Sequence, residues 1–219
     1  MKFRRKSEPT SEPVAESTAV APDDTAAHED VATAASPRTD GPFDESQVQD
    51  DGVQRVDLGS LLIVPSEGRE LRLQVDEASG AVQAVLLTGQ DGALELQAFA
   101  APRNGDLWGT VRPQIIDDIN GRGGRAEERE GRFGTELVAQ MPVRKPDGEV
   151  GLQPTRIVGI NGQRWMLRAS FLGRPAVQPE AAGEWEDALA QVVVRRGAGA
   201  MPVGEALPAT LPEQARRVK

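Results

Sequence analysis

The amino-acid sequence predicts an α+β fold: an antiparallel β-sheet of about six or more strands packed by two main helices, with a disordered N-terminal tail. Three observations carry that expectation. The first is a break in composition. Residues 1–52 hold five basic and twelve acidic residues, a net −7, whereas residues 53–219 hold 20 and 22, a net −2. The second is a series of short runs that alternate apolar and polar with period two, separated by Gly, Asp and Asn turn signals. The third is a pair of segments whose apolar residues recur at intervals of three and four.

Residues 1–41 read as a disordered acidic tail with a basic start. Ala, Glu, Asp, Ser, Thr and Pro supply too little apolar surface there to offset the entropy of ordering. Residues 42–65 read as a linker and extended covering segment, closing on the apolar run Leu61–Val64 and Pro65. Residues 66–197 form the α+β domain. In it, "RELRLQV" (69–75) alternates as a half-buried strand, "AVQAVLLT" (81–88) is apolar on both faces, and "ALELQAFA" (93–100) turns Leu94, Leu96 and Ala98 inward. Tight turns between them predict a meander. A helix follows, with Trp108, Val111, Ile115 and Ile119 on one face, Asn104 or Asp106 as N-cap, and the glycines of 121–124 as its end. Pro113 lacks an N–H, which predicts a kink or a late helix start.

The strand "GTELVAQMPV" (134–143) places Leu137, Ala139, Met141 and Val143 inward, and "KPDGE" turns the chain. "LQPTRIVGI" (152–160) and the stretch from Arg164 to Phe171 then form a hairpin. Asn161-Gly162 suits its turn, because a type I′ turn needs positive φ at both central positions. On the return strand Trp165, Leu167, Ala169 and Phe171 share one face, and Arg164, Met166, Arg168 and Ser170 the other. "PEAAGEWEDALAQVVV" (179–194) predicts the second helix, with an apolar face of Trp185, Leu189 and Val192 and a stop at Arg195-Arg196-Gly197. Residues 198–219 read as an extended Pro-containing C-terminal segment that lies along the domain or trails from it.

Composition excludes much chemistry. The chain has no cysteine and no tyrosine, and its one histidine, His28, lies in the tail. Disulfides, thiolate zinc sites, Cys nucleophiles and His-activated Ser nucleophiles such as one at Ser170 are thereby ruled out. Of the lysines beyond the tail, Lys145 and Lys219, the second is the last residue of the sequence and a poor candidate. No catalytic residue, metal ligand or cofactor is expected. "NGRGGR" (120–125) follows a helix instead of opening one and lacks a GK[ST] ending, so it reads as a loop and C-cap, not a phosphate loop. Asp117 and Asp118 are adjacent on a helix and point about 100° apart, so they do not converge on one ion. Glu127, Glu128 and Glu130 alternate with Arg125, Arg129 and Arg132, as on a solvated edge.

One candidate binding site remains. Arg156, Arg164 and Arg168 are read as lying on one sheet face, where three guanidiniums can clamp a carboxylate or phosphate. Against that stand two readings: surface arginines paired with carboxylates, and a helix that covers the face with the arginines at its margin. The near-neutral domain does not attract nucleic acid. No apolar run approaches the roughly 20 residues that span a bilayer, and "MKFRRKSEPT" lacks the apolar region of a signal peptide. The cytoplasm is the expected location, with weak peripheral membrane contact through residues 2–6 as an option.

The strings "DDGVQRVDLGSLLIVP", "LQAFAAPR", "EGRFGTEL", "GLQPTRIVGINGQRWMLR" and "MPVGEALPATLP" resemble the actinobacterial family known as domain of unknown function 3710, over about residues 41–212. Gly131 to Leu137 and Arg164 to Arg168 are its most specific strings, and Pro113 departs from an uninterrupted family helix. The resemblance implies a cytoplasmic actinobacterial protein and no assigned activity. The element order is also similar to the PsbP and Mog1 group of folds, which implies an antiparallel sheet between helices, a G-x-x-W/Y strand near the end and a closing helix. The expected function is a non-catalytic binding or adaptor module whose partner is another protein. The alternative is a small-anion or nucleotide-binding domain that uses the arginine cluster.

Overall fold

The computed structural model describes residues 40–48, 51–144 and 148–212. The tail up to residue 39, with the basic cluster 2–6 and His28, lies outside the described residues, as do Lys145 and residues 213–219. The expectations about them are not addressed by the fold.

Seven strands form one antiparallel sheet: β4 (Glu70–Val75), β5 (Val82–Thr88), β6 (Gly92–Ala100), β7 (Arg125–Gly131), β8 (Gly134–Arg144), β9 (Val150–Asn161) and β10 (Trp165–Gly173), in the order β4-β5-β6-β10-β9-β8-β7. Two meanders thus meet where β10 pairs with β6, Leu167 opposite Ala98. A long connection between β6 and β7 carries helix α1 (Leu107–Gly121). After β10 come a short helix, α2 (Arg174–Val177), and the closing helix α3 (Pro179–Ala190).

A second sheet has four short strands, β1 (Phe43–Asp44), β2 (Val56–Asp57), β3 (Leu61–Ile63) and β11 (Val193–Val194), ordered β1-β11-β3-β2. The predicted helix over 179–194 is therefore too long. It ends at Ala190, and Val193 and Val194 pair with β1 and β3. Consecutive valines suit an extended, buried strand better than a helix end. Within the extended segment before the domain, Leu61–Ile63 forms a strand of this sheet, and Leu58, Leu61 and Ile63 are fully buried.

The layers follow from which side chains pack together. On one face of the large sheet, Leu94, Leu96, Leu167 and Phe171 join Trp185 and Leu189 of α3 and Leu61 of the small sheet. On the other, Leu137, Ala139, Ile157 and Met166 join Leu107, Trp108 and Ile119 of α1. We call these the α3 face and the α1 face. α1 begins at Leu107 and runs through Pro113 to Gly121, so the helix does not start late. Its N-cap is Asp106, which accepts from the Gly109 N–H at 2.7 Å. Gly159 lies under the Trp108 ring, where a Cβ would come within 2.0 Å of it.

The C-terminal segment lies along the domain. Beyond Leu96, β5 no longer pairs with β6, and residues 204–207 take its place. The Ala100 and Leu207 N–H groups donate to Glu205 and Ala98 carbonyls, both at 2.8 Å, and Leu207 is buried. No helix among the described residues is long and apolar enough to cross a membrane.

Candidate functional site

The three arginines of the predicted cluster lie in three different places. β9 pairs with β10 so that Arg156 is opposite Phe171 and Arg168 is opposite Gly159. Directly opposed residues share a face, and successive residues alternate. Arg156 is thus on the α3 face, with its guanidinium 4.7 Å from the Phe171 ring centre. Arg168 is on the α1 face. Arg164 is on neither strand. It sits in the hairpin turn at φ 67°, with Gln163 and Arg164 as the central residues between Gly162 and Trp165.

The turn is thus shifted from the one expected at Asn161-Gly162. Two packing demands explain the shift. Asn161 is recruited to the start of α1: its Oδ1 accepts from the Trp108 N–H at 3.1 Å, and its Nδ2 donates to Asp106 at 2.6 Å. Gly162 lies against the Trp165 indole, where a Cβ would come within 2.1 Å of the ring. The indole is buried, and its N–H donates to Asp44 at 3.0 Å.

Arg156 is 3% exposed, and beside it Glu136 of β8 is 0% exposed. The sequence pattern places Glu136 outside the apolar face of its strand, and so it does lie opposite Leu137. Yet that side is the α3 face, which is sealed. Glu136 Oε2 accepts from Arg156 Nε at 2.8 Å. Its Oε1 accepts from Arg129 Nη2 at 2.7 Å and Nε at 3.1 Å. Arg156 Nη2 also donates to Glu186 of α3. Arg132, in the β7–β8 turn, is 4.0 Å from Glu186 and donates to Asp187. Three arginines and three carboxylates therefore alternate from β7 across β8 and β9 to α3. A Cβ on Gly131 would come within 2.3 Å of Glu136 Oε2, so glycine there makes room for the buried carboxylate.

This arrangement neutralises its own charge. Arg156 offers no open donor fork to an external anion, because Nε and Nη2 already serve two carboxylates. Glu136 was not found from the sequence. Its one signal is the nearby glycine of "EGRFGTEL", and only the three-dimensional pairing shows what that glycine accommodates.

Arg168 differs. Its guanidinium stacks 5.4 Å from the Phe99 ring centre and donates to Gln97. Burial pulls its pKa below the usual arginine value, and the Glu95 carboxylate offsets part of that at longer range. It stays protonated at any ordinary pH. Met166, beside it, is buried against α1, so the face read as wet is covered at one end, with Arg168 at the margin of the helix. Among the described residues no group of three or more His, Cys, Asp or Glu side chains can hold a metal ion.

The family model described as "Protein of unknown function (DUF3710)" matches residues 41–218. The chain belongs to this family. The family strings noted in the sequence now have places in the fold. Gly131 to Leu137 builds the β7–β8 turn and the Glu136 site, and Arg164 to Arg168 joins the last residue of the β9–β10 turn to the start of β10. No curated protein matches the chain. One solved structure to which it is similar is the solution structure of cyanobacterial PsbP (CyanoP) from Synechocystis sp. PCC 6803. The identity is 11% and the TM-score 0.38, over 64% of this chain and 91% of that one.

Proposed function

We propose that the chain is a non-catalytic binding module whose partner is another protein. One observation carries this reading. A seven-stranded sheet is about 29 Å wide at ~4.8 Å per strand, and one helix covers about 10 Å of it. α1 packs on β7, β8 and β9. Over β4, β5, β6 and most of β10, the α1 face has no helix on it among the described residues, and it presents Leu86 and Leu172 beside Glu95, Gln97 and Arg168, with Phe99 at the border where it packs against the α1 cluster. Half-buried apolar groups with polar neighbours are the composition of a protein-docking surface. The lack of cysteine, tyrosine and any histidine beyond the tail supports a module without a catalytic step.

The test uses the tagged protein expressed in its native host, as wild type and as Leu86→Glu with Leu172→Glu. A protein captured in stoichiometric amount by the wild type and lost from a variant with unchanged Tm supports the reading. Identical capture by both overturns it. Arg168 favours a second reading, an anion site on the same face, because no carboxylate forms an ion pair with it among the described residues. Calorimetric binding of inorganic phosphate or a nucleoside triphosphate by the wild type, abolished by Arg168→Gln, would establish that reading instead.

A further inference from the structure

The β8–β9 ribbon outruns its neighbours. β7 pairs with β8 no further than Gln140, and β10 pairs with β9 only from Thr155 onward. β8 and β9 continue to pair out to Arg144 opposite Val150. The projecting arm has two free edges and two free faces. Its edges are poor templates for another strand. Pro142 lies opposite Leu152, and Pro154 opposite Gln140. A proline is tolerated in a ladder where its missing N–H points away from the paired strand. Each of these prolines thus removes an outward donor, one from each edge, and strand addition is disfavoured.

The α3 face of the arm is different. Leu152 is 59% and Val150 67% exposed, and α2, which packs on β9, adds Val177 at 54%. Over the rest of β9 this face lies beneath α2 and α3. Over the arm, that layer is empty among the described residues. We propose that a second copy of this chain fills it, the two arms packed face to face and antiparallel about a two-fold axis near Leu152.

Charge complementarity selects a second copy. α3 runs along β9, away from the arm. Glu186 is at Arg156, and Ala190 lies beside Gly41, close in sequence to the Asp44 that binds the Trp165 indole. Glu180, six residues before Glu186, is about 9 Å closer to the arm. The base of the arm therefore carries an exposed acid, and its tip carries exposed Arg144. Neither forms an ion pair among the described residues. A two-fold axis at Leu152 sends each tip to the other base, so Arg144 of each copy meets Glu180 of its mate, while Leu152 meets Leu152. Isologous contacts require such a patch, apolar on the axis and of opposite charge on either side. A face built from three exposed apolar side chains fits the small, reversible class of interface.

Sedimentation velocity of the full chain from about 1 to about 100 μM tests this, a range that covers dissociation constants of weak dimers. The wild type should convert from monomer to dimer across the range. Leu152→Asp should weaken association at least about tenfold with no change in the Tm of the monomer. Arg144→Glu and Glu180→Arg should each weaken it, and the double variant should restore it to within a few fold of wild type. A wild type that stays monomeric throughout overturns the proposal. So does a dimer indifferent to Leu152→Asp, or a double charge swap no better than the single ones. Leu86→Glu with Leu172→Glu lies on the other face and should leave the dimer intact, so failure here and failure of the partner-binding reading are separately visible.

Discussion

Arg156 and Arg168 stand on neighbouring strands of one sheet, yet they occupy opposite environments. Arg156 points into the α3 face, where a helix and a second sheet exclude water, and it is held by Glu136 and Glu186. Arg168 points to the α1 face at the margin of a helix too narrow to cover it, held by an amide and an aromatic ring. The pair shows that burial without solvent demands carboxylates, whereas burial at a margin can be met by a neutral acceptor and a ring face.

The largest effects should come from the sealed face. Arg156→Ala leaves the buried Glu136 and the part-buried Glu186 short of a cation, and removal of one member of a buried ion pair costs about 3–5 kcal/mol. Urea denaturation should show that loss. Replacement of Glu136, Arg156 and Glu186 together by Leu, Met and Leu should recover most of it, since apolar replacements of whole buried networks are often neutral. A triple variant as unstable as Arg156→Ala would mean the network contributes more than the avoidance of stranded charge.

Trp165→Ala, on the same face, should cost roughly 3–5 kcal/mol. A cost below about 1 kcal/mol would contradict its packing with Leu167 and its bond to Asp44. On the half-open face, Arg168→Gln should cost about 1–2 kcal/mol, the value of a partly desolvated cation–π contact. A loss as large as that of Arg156→Ala would erase the contrast between the two faces.

The smallest effect is pH-dependent. Asp57 has its pKa lowered, first by the hydrogen bond from Arg195 and against the opposing effect of burial. A depressed carboxyl stabilises the fold above its unfolded value of about 3.9 and loses that contribution as pH falls through the folded value. The pair is largely exposed, so the gain is about 0–1 kcal/mol. Arg195→Gln should lower Tm slightly at neutral pH and by less as the pH falls through the folded value. An undiminished loss there would assign the effect to packing.

The meander of β4, β5 and β6 was legible because each run alternates and each is closed by a local turn. The start of α1 was legible at Asp106 and its inward face at Trp108 and Ile119. What sequence reasoning missed was decided by distant partners. Val193 and Val194 join a sheet whose other strands lie far away in sequence. Arg156 does not share a face with Arg168: β9 pairs it with Phe171, and even a turn at Asn161-Gly162, two residues before the observed one at Gln163-Arg164, would pair it with Leu167 on that same apolar face, so the alternation itself contradicts the grouping. Glu136 was invisible because nothing in "GTELV" announces that both sides of its strand are covered.

The alternating charges from Arg129 to Asp187 have a consequence for the chain before it is folded. A slip of one residue between β8 and β9 would turn Arg156 towards the apolar cluster around Trp108 and Met166, far from any carboxylate of its own row. The apolar residues of both strands would tolerate such a slip, since Ile157, Val158 and Ile160 differ little in size or polarity. The charges would not. They act as a key cut for one alignment, so that mispaired hairpins are rejected by the cost of a solitary buried ion before α3 ever closes over them.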